Sequence, residues 1–324
     1  MKEKTSRARR NSNTEVTVSR VHLHDYYARV NTIGKTGIRP FLLVPGIGVA
    51  STYFERLAPN LNSFGPVHAI DLPGFGGVPH PKDALSIEQY AELVGHVIDE
   101  LQLEDPIVVG HSMGTQVVGE LASRRPEIST IVLIGPVINP AERRVLRQGL
   151  RFAQASFHEP GRVKLLAVSA YLLCGFRWFS RVLPKMMTYR IEDVLPRIQA
   201  RTLLIRGEYD AVVPRDWLER AGAMIPHSTN WEIPDAAHSV MHAHAEEVAR
   251  LCVSHAEGSV REGDELQIAQ SADGERIVAE APSDVAKALS GRLVETVGII
   301  TGNDDLIAEG KTTHAEAMEQ PPAK

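Results

Sequence analysis

The segment Ile107-Val-Val-Gly-His-Ser-Met-Gly-Thr-Gln-Val-Val118 decides the fold. A short β-branched run is followed by a glycine-serine-glycine turn and then by a helical pattern over residues 115–124. A serine at such a sharp turn adopts a strained backbone conformation, and small neighbours let the turn close. Its hydroxyl then lies beside the free N–H groups at the start of the helix. The pattern indicates a nucleophilic serine, Ser112; the alternative is an ordinary glycine-rich turn.

The chain on both sides of this segment alternates short β-branched runs with amphipathic stretches, from about residue 16 to residue 254. This alternation is typical of an α/β protein with a mostly parallel central sheet flanked by helices. Ser86 followed by Gln89 predicts a capping box at the start of a helix that extends to about Leu101. Strands are predicted at residues 16–18, 41–44, 67–70, 107–109, 131–134, 202–205 and 230–233.

Two more polar residues follow predicted strands at positions where they could join Ser112. Asp210 comes after the strand at 202–205, and His238 comes after the strand at 230–233. Because the carboxyl ends of parallel strands share one edge of the sheet, these three side chains can converge. A nucleophile, a base and a carboxylate that orients the base are the groups needed for nucleophilic catalysis.

In this order and context the sequence resembles the α/β-hydrolase family over roughly residues 39–252. Besides the serine turn, the resemblance rests on Val-Pro-Gly-Ile-Gly at 44–48, Asp-Leu-Pro-Gly-Phe-Gly at 71–76, Gly-Glu-Tyr-Asp at 207–210 and Pro-Asp-Ala-Ala-His at 234–238. It implies an α/β-hydrolase core at residues 16–135 and 197–255. It also implies that residues 136–196 form an inserted helical cap over the active site.

The resemblance assigns a role to each matching residue. Ser112 is expected to be the nucleophile, His238 the general base and then acid, and Asp210 the partner of the imidazole. The oxyanion hole is expected to consist of the backbone N–H groups of Ile47 and Met113. Many members have His-Gly where this chain has Pro45-Gly46, which changes how this loop is braced. A serine at the nucleophile position disfavours the members that use aspartate.

Several neighbouring residues offer competing assignments. Gly46, His111 and Phe75 are expected to line the substrate pocket, although His111 also suits a packing role. Asp71 is expected to brace the turn that follows it. His242, His244 and Asp235 lie near the proposed base and acid and are expected to be surface residues.

The proposed cap combines apolar and basic residues. Apolar side chains repeat at helical spacing, and a second row of arginines runs beside them: Leu146, Leu150, Ala153 and Phe157, with Arg143, Arg147 and Arg151. A core stripe with a solvated charged face is the simplest interpretation. The apolar run at 165–179 would roof the active site and favour a small hydrophobic or acyl substrate. The basic excess also allows a weak peripheral contact with a membrane surface.

Composition limits the remaining function classes. The chain has 324 residues, of which 43% are hydrophobic and 23% charged, the balance of a soluble globular protein. A net charge of -5 gives no reason to expect nucleic acid as a partner. The two cysteines, Cys174 and Cys252, are in no metal-ligand spacing and suit a reducing compartment, so a cytoplasmic location is expected. No run reaches the roughly 20 apolar residues that a membrane span needs.

The two ends of the chain differ from the core. Residues 1–15 are basic and polar, with no apolar segment after them, and are expected to form a flexible arm. Residues 256–324 are acid-rich and contain no aromatic residue, since Trp231 is the last one. They are expected to form an acidic tail or a small appendage.

These observations predict a serine hydrolase that cleaves a carboxylic ester, or a thioester or amide, through an acyl-serine intermediate. No metal or cofactor is required by that chemistry. A carbon–carbon bond hydrolase with the same triad and a non-catalytic ligand-binding protein are the alternatives. The sequence does not predict the oligomeric state.

Overall fold

Within the part of the chain that the structure describes, a nine-stranded sheet organises the fold, in the order β1-β2-β4-β3-β5-β6-β7-β8-β9. The computed structural model describes residues 15–161, 163–164, 174–259, 263–268 and 285–318. The pairs β1–β2 and β2–β4 are antiparallel, and all other neighbours are parallel. The strands are β1 (Val16–Leu23), β2 (Tyr26–Ile33), β3 (Phe41–Val44), β4 (Val67–Asp71), β5 (Ile107–His111), β6 (Thr130–Ile134), β7 (Arg201–Gly207), β8 (Ser228–Ile233) and β9 (Gly263–Ile268).

Helices cover both faces of this sheet. They are α1 (Leu57–Leu61), α2 (Ile87–Glu100), α3 (Met113–Arg124), α4 (Val145–His158), α5 (Phe176–Thr188), α6 (Arg215–Ala223), α7 (Val240–Ala243), α8 (Ala245–Ala256), α9 (Val285–Thr301) and α10 (Asp304–Met318). None of these helices is both long and apolar enough to cross a membrane. The predicted α/β architecture with a mostly parallel sheet is confirmed.

Successive side chains of the central strands point to opposite faces of the sheet, so the apolar core has two layers. In β3, Leu42 and Val44 belong to the apolar cluster shared with α2, α3 and α6, while Phe41 and Leu43 belong to the cluster shared with α1 and α8. All four side chains are fully buried. Strands covered on both faces have continuous apolar sequences, which is why these strands were recognisable.

The strand predictions agree with the structure apart from two omissions. All seven predicted strands are present, most of them longer by one to three residues, and β1 by five. Strand β2 was missed because Arg29 and Asn31 interrupt its apolar pattern. Both are buried, and both bind the carboxylate of Asp71, at 2.9 Å each. Strand β9 was also missed.

The predicted capping box at the start of α2 is confirmed. The Ser86 hydroxyl accepts the Gln89 N–H at 3.3 Å, and the Gln89 side-chain oxygen accepts the Ser86 N–H at 2.9 Å. This reciprocal pair satisfies two backbone donors at a helix start.

The insertion between β6 and β7 contains α4 and α5, as expected for a helical cap. Part of the apolar run at 165–179, namely residues 165–173, lies outside the described residues. The expected arm at residues 1–15 lies outside them too, except for Glu15.

Residues 256–324, expected as a tail or appendage, contain β9, which extends the sheet, and the helices α9 and α10. The two helices form an antiparallel pair that packs on β1, where the Val16 N–H donates to Thr312 Oγ1 at 2.9 Å. They approach closely at Gly310, where an added Cβ would lie 2.3 Å from the Glu295 nitrogen. This segment, which we call the C-terminal helix pair (residues 285–318), is therefore packed against the core.

Charged side chains are buried where the C-terminal helix pair meets the core. Glu295 lies between Lys311, 2.9 Å away, and Arg292, 2.6 Å away. Lys311 also donates to Ser51 Oγ at 3.0 Å. Burial opposes ionisation of Glu295, but the two cations outweigh it and lower its pKa from 4.5 to about 2. Glu295 is therefore an ionised part of the docking contact.

We predict that Glu295→Gln lowers the free energy of unfolding by about 3 kcal/mol at pH 7, because both cations lose a buried partner. Since the folded pKa is depressed, this contribution is present above pH 4.5 and disappears as the pH falls toward 2. Urea unfolding of both proteins between pH 7 and pH 3.5 measures the difference, with exposed Glu309→Gln as the control. A difference that does not shrink with falling pH would contradict the assignment.

Candidate active site

Ser112 occupies the sharp turn between β5 and α3. Its backbone angles are φ 54° and ψ -120°, a conformation that costs energy for any residue with a side chain. An added Cβ at Gly110 would lie 2.4 Å from the Gly114 oxygen, and one at Gly114 would lie 2.2 Å from the Val44 oxygen. The two glycines are therefore needed for the turn to close against β3.

Hydrogen bonds hold this turn in place. The Ser112 N–H donates to the Ile134 carbonyl at 2.9 Å, and the Ser112 carbonyl accepts the Thr115 hydroxyl at 2.6 Å. Helix α3 begins at Met113, and the first N–H groups of a helix have no acceptor within it. The positive end of the helix dipole thus lies at the serine side chain.

The loop after β3 lies against the same side chain. A Cβ on Gly46 would be 3.0 Å from Ser112 Cβ and 3.5 Å from Ser112 Oγ. Gly46 and Ile47 both line the cavity into which Ser112 opens. This proximity is what an oxyanion hole made by the N–H groups of Ile47 and Met113 requires.

Asp210 and His238 form a buried hydrogen-bonded pair. His238 Nδ1 lies 2.8 Å from Asp210 Oδ2, while Asp210 Oδ1 accepts the N–H groups of Val212 at 3.0 Å and Val213 at 3.1 Å. The carboxylate is thereby fixed in one orientation. With the Nδ1 proton bound to Asp210, the lone pair of the neutral ring lies on Nε2.

The pKa of His238 is raised above its ordinary value. Burial opposes protonation, but the charge and hydrogen bond of Asp210, together with the charge of Glu159, outweigh burial. The neighbouring His111 behaves oppositely, since burial and the nearby His238 lower its pKa to about 3. His111 therefore stays neutral at physiological pH, and His238 is the histidine suited to take a proton.

A cavity of about 600 Å³ lies between the sheet edge and the cap. Its wall is largely apolar, and the cap supplies much of it through α4 and α5. Lining residues are Gly46, Ile47, Val49, Tyr53, His111, Ser112, Val137, Val145, Gln148, Gly149, Phe152, Phe176, Phe179, Leu183, Met186, Met187, Val212, His238 and Ser239. Ser112 and His238 share this cavity, as the sequence predicted.

Two of the three expected pocket residues line the cavity, and one does not. Gly46 and His111 do so. Phe75 is fully buried in the core instead, with its ring stacked 6.4 Å from that of Tyr90 on α2. The expectation for Phe75 was wrong because the turn after β4 directs its ring inward, toward the apolar face of α2.

The competing residues near the triad positions have other partners. The Asp235 side chain faces the Tyr209 hydroxyl at 3.4 Å, and His242 pairs with Glu55 at 3.3 Å. His242 is buried, however, and not the surface residue that was expected. Asp71 accepts the Ser51 N–H at 2.6 Å and pairs with Arg29 of β2, so its described contacts brace the Ser51 backbone and β2 and not the turn after β4 that was expected.

Sequence reasoning missed two polar residues beside His238. The Tyr53 hydroxyl lies 3.3 Å from Ser239 Oγ, and burial raises its pKa to about 12. Glu159, just after α4, accepts the Ser239 N–H at 2.7 Å. One signal for Glu159 was available: it is the single acidic residue between Arg143 and Arg190. Among the described residues, no group of three or more His, Cys, Asp or Glu could hold a metal ion.

The sequence profile of the Alpha/beta hydrolase family matches residues 41–251, so the chain belongs to that family. The uncharacterized hydrolase YugF of Bacillus subtilis (strain 168) is 24% identical over 245 residues, which cover 66% of this chain and 88% of YugF. The poly(3-hydroxyalkanoate) depolymerase of Ectopseudomonas oleovorans is 25% identical over 256 residues, 67% of this chain and 84% of that enzyme.

A solved structure shows the same fold. The meta-cleavage product hydrolase CumD of Pseudomonas fluorescens IP01 superimposes with a TM-score of 0.61 at 20% identity, covering 75% of this chain and 98% of CumD. Family membership and the hydrolase-named relatives support an enzyme of the hydrolase class.

We predict that Gly114→Ala slows the reaction of Ser112 with a fluorophosphonate by roughly 100-fold, because the new methyl group pushes the backbone of Val44 and Pro45 away from the serine turn. It should also destabilise the fold by about 1–3 kcal/mol. Gly119→Ala on the same helix is the matched control, since its nearest neighbour would lie 3.8 Å away. Equal labelling rates in the two variants would contradict this role for Gly114.

Proposed function

We propose that this protein is a serine hydrolase that cleaves a carboxylic ester of an apolar acyl group through an acyl-serine intermediate. The observation that carries the proposal is the buried Asp210–His238 hydrogen bond of 2.8 Å, which orients an imidazole that lines the same cavity as the strained Ser112. A strained serine, an oriented imidazole and helix-terminal N–H groups together are the parts needed for acyl transfer.

The mechanism assigns one step to each group. Ser112 Oγ attacks the ester carbonyl while His238 Nε2 takes its proton, and Asp210 stabilises the resulting imidazolium. The N–H groups of Ile47 and Met113 bind the oxyanion of the tetrahedral intermediate. The imidazolium then gives its proton to the departing alkoxide. Water, activated by the same histidine, releases the carboxylic acid and regenerates the serine.

The cavity wall indicates the class of acyl group. The cap side of the wall is formed mostly by aliphatic, aromatic and methionine side chains, including Phe152, Phe176 and Met187. Burying an acyl chain against such a surface contributes about 0.8 kcal/mol per methylene. A neutral acyl chain therefore suits the cavity better than a charged one. The name of the depolymerase relative, which refers to a polyester, is consistent with ester cleavage.

Carbon–carbon bond cleavage beside a ketone is the second candidate, favoured by the structural similarity to CumD. A ring-fission dienoate carries a carboxylate, which calls for a cationic partner in a pocket. Among the described residues that line the cavity, none is lysine or arginine. This observation favours the ester reaction over carbon–carbon bond cleavage. The non-catalytic alternative is also disfavoured, because a protein that only binds a ligand has no use for an oriented base.

We predict that a fluorophosphonate forms a single covalent adduct on Ser112, detected by intact and peptide mass spectrometry. Ser112→Ala should remove the adduct, and His238→Ala should slow its formation by a factor on the order of 10³ or more. Ser123→Ala, a serine on α3 outside the cavity, is the control and should label normally. A folded wild-type chain that forms no adduct would contradict the proposal and favour the ligand-binding alternative.

We also predict that Gly149→Phe shifts the preferred acyl chain to a shorter length. Gly149 lines the cavity, and nothing lies within 4 Å of a Cβ at this position, so a ring can enter the open space. The kcat/KM for an octanoyl ester should fall at least about 10-fold relative to that for an acetyl ester. Gly149→Ala controls for the change in helix propensity. An unchanged ratio would show that the acyl chain binds elsewhere.

A further inference from the structure

Glu159 is a second carboxylate beside the proposed general base, and it comes from the cap. It follows the last residue of α4, where its N–H donates to the Ser156 carbonyl at 3.3 Å. Its Oε1 accepts the backbone N–H of Ser239 at 2.7 Å, and Ser239 directly follows His238 in the chain. The cap is thus tied by a buried carboxylate to the segment that carries the imidazole.

The other oxygen of this carboxylate, Oε2, is buried and accepts no hydrogen bond of ordinary geometry from the described residues, while the nearby Ser239 hydroxyl also favours the ionised carboxylate. A buried carboxylate without full pairing is costly, and such exceptions call for an explanation. The stretch around it is strongly basic, yet no described arginine or lysine forms an ion pair with it. The positive charge of protonated His238 favours the ionised form of Glu159.

The groups around His238 come from several elements. Asp210 accepts the hydrogen bond of Nδ1, and neutral His111 donates its Nε2–H to the His238 backbone carbonyl, 3.1 Å away. Phe152 of α4 presents its ring edge-on at 6.5 Å, and Ser112 lines the same cavity as His238. Tyr53, with its hydroxyl on Ser239, is also neutral. Asp210 and Glu159 are therefore the anions that favour the imidazolium.

We propose that Glu159 is a positioning residue through which the cap completes the general base: its carboxylate fixes the 238–239 turn and stabilises the His238 imidazolium that forms during acylation. This inference rests on the proposed function, because the imidazolium forms only if His238 takes the proton of Ser112.

Glu159→Gln tests the proposal, since glutamine keeps the size and the acceptor for the Ser239 N–H but removes the charge. The pKa of His238 should fall by about one unit, as expected on loss of a nearby opposite charge. The rate of fluorophosphonate labelling falls at low pH, and the midpoint of this fall should move to lower pH by the same amount. The labelling rate at the high-pH plateau should fall roughly 10-fold. Glu142→Gln, which removes a buried carboxylate near the other end of α4, should leave both unchanged.

Two readouts separate this proposal from the proposed function. An NMR titration of ¹³C-labelled histidines, with His238 assigned from His238→Asn, reports the imidazole pKa whether or not the serine reacts. In the wild type the same signal should show a second inflection from Glu159, whose pKa burial raises above its ordinary value. An unchanged His238 pKa and pH profile in Glu159→Gln would overturn the role of Glu159. Absence of any Ser112 adduct in the wild type would overturn the proposed function instead.

Discussion

The close contact between helix α3 and strand β3 is the constraint on which the site depends. Gly114 meets the Val44 backbone so tightly that no side chain fits between them, and Ser112 must then turn through a positive φ angle. That turn aims the hydroxyl out of the sheet edge, next to the start of α3 and the loop at Gly46. The parallel order of β5, β6, β7 and β8 brings Asp210 and His238 to the same edge. The strained backbone of Ser112 is thus a consequence of holding its side chain at the sheet edge in a fixed orientation.

Two segments outside the α/β core, the cap and the C-terminal helix pair, each place a buried charged side chain against residues in or next to the site. The cap contributes Glu159 beside His238, and the C-terminal helix pair contributes Lys311, which binds Ser51. Ser51 in turn donates its N–H to Asp71 at 2.6 Å and begins the 3₁₀ helix that carries Tyr53 to the cavity. Removing the hydrogen-bond partner of a buried charged group is costly, because the group that remains has lost both water and its partner. We therefore interpret both contacts as devices that fix position around the site.

Much of this arrangement could be predicted from the sequence, because strands buried on both faces and glycines at tight turns leave strong local signals. The serine turn, the parallel strands and the capping box of α2 all depend on neighbouring residues. Strand β2, the inward position of Phe75 and the contact of Glu159 with Ser239 could not be found in this way. Arg29 and Asn31 look solvated until Asp71 is seen to bind them, and Glu159 meets Ser239 across 80 residues of chain. Long-range pairing of polar groups has no periodicity to detect.

The decisive step of the proposed reaction is the transfer of the acyl group from the ester to Ser112 Oγ. Rapid quenching of the wild-type enzyme with a short-chain nitrophenyl ester, followed by peptide mass spectrometry, tests it most directly. If Ser112 is the nucleophile, the wild type should release a burst of nitrophenol that approaches one equivalent and should carry a transient acyl adduct on the peptide containing Ser112. Neither should be seen in Ser112→Ala. Steady ester turnover by the wild type with no adduct on that peptide, or turnover that survives Ser112→Ala, would contradict this role of Ser112.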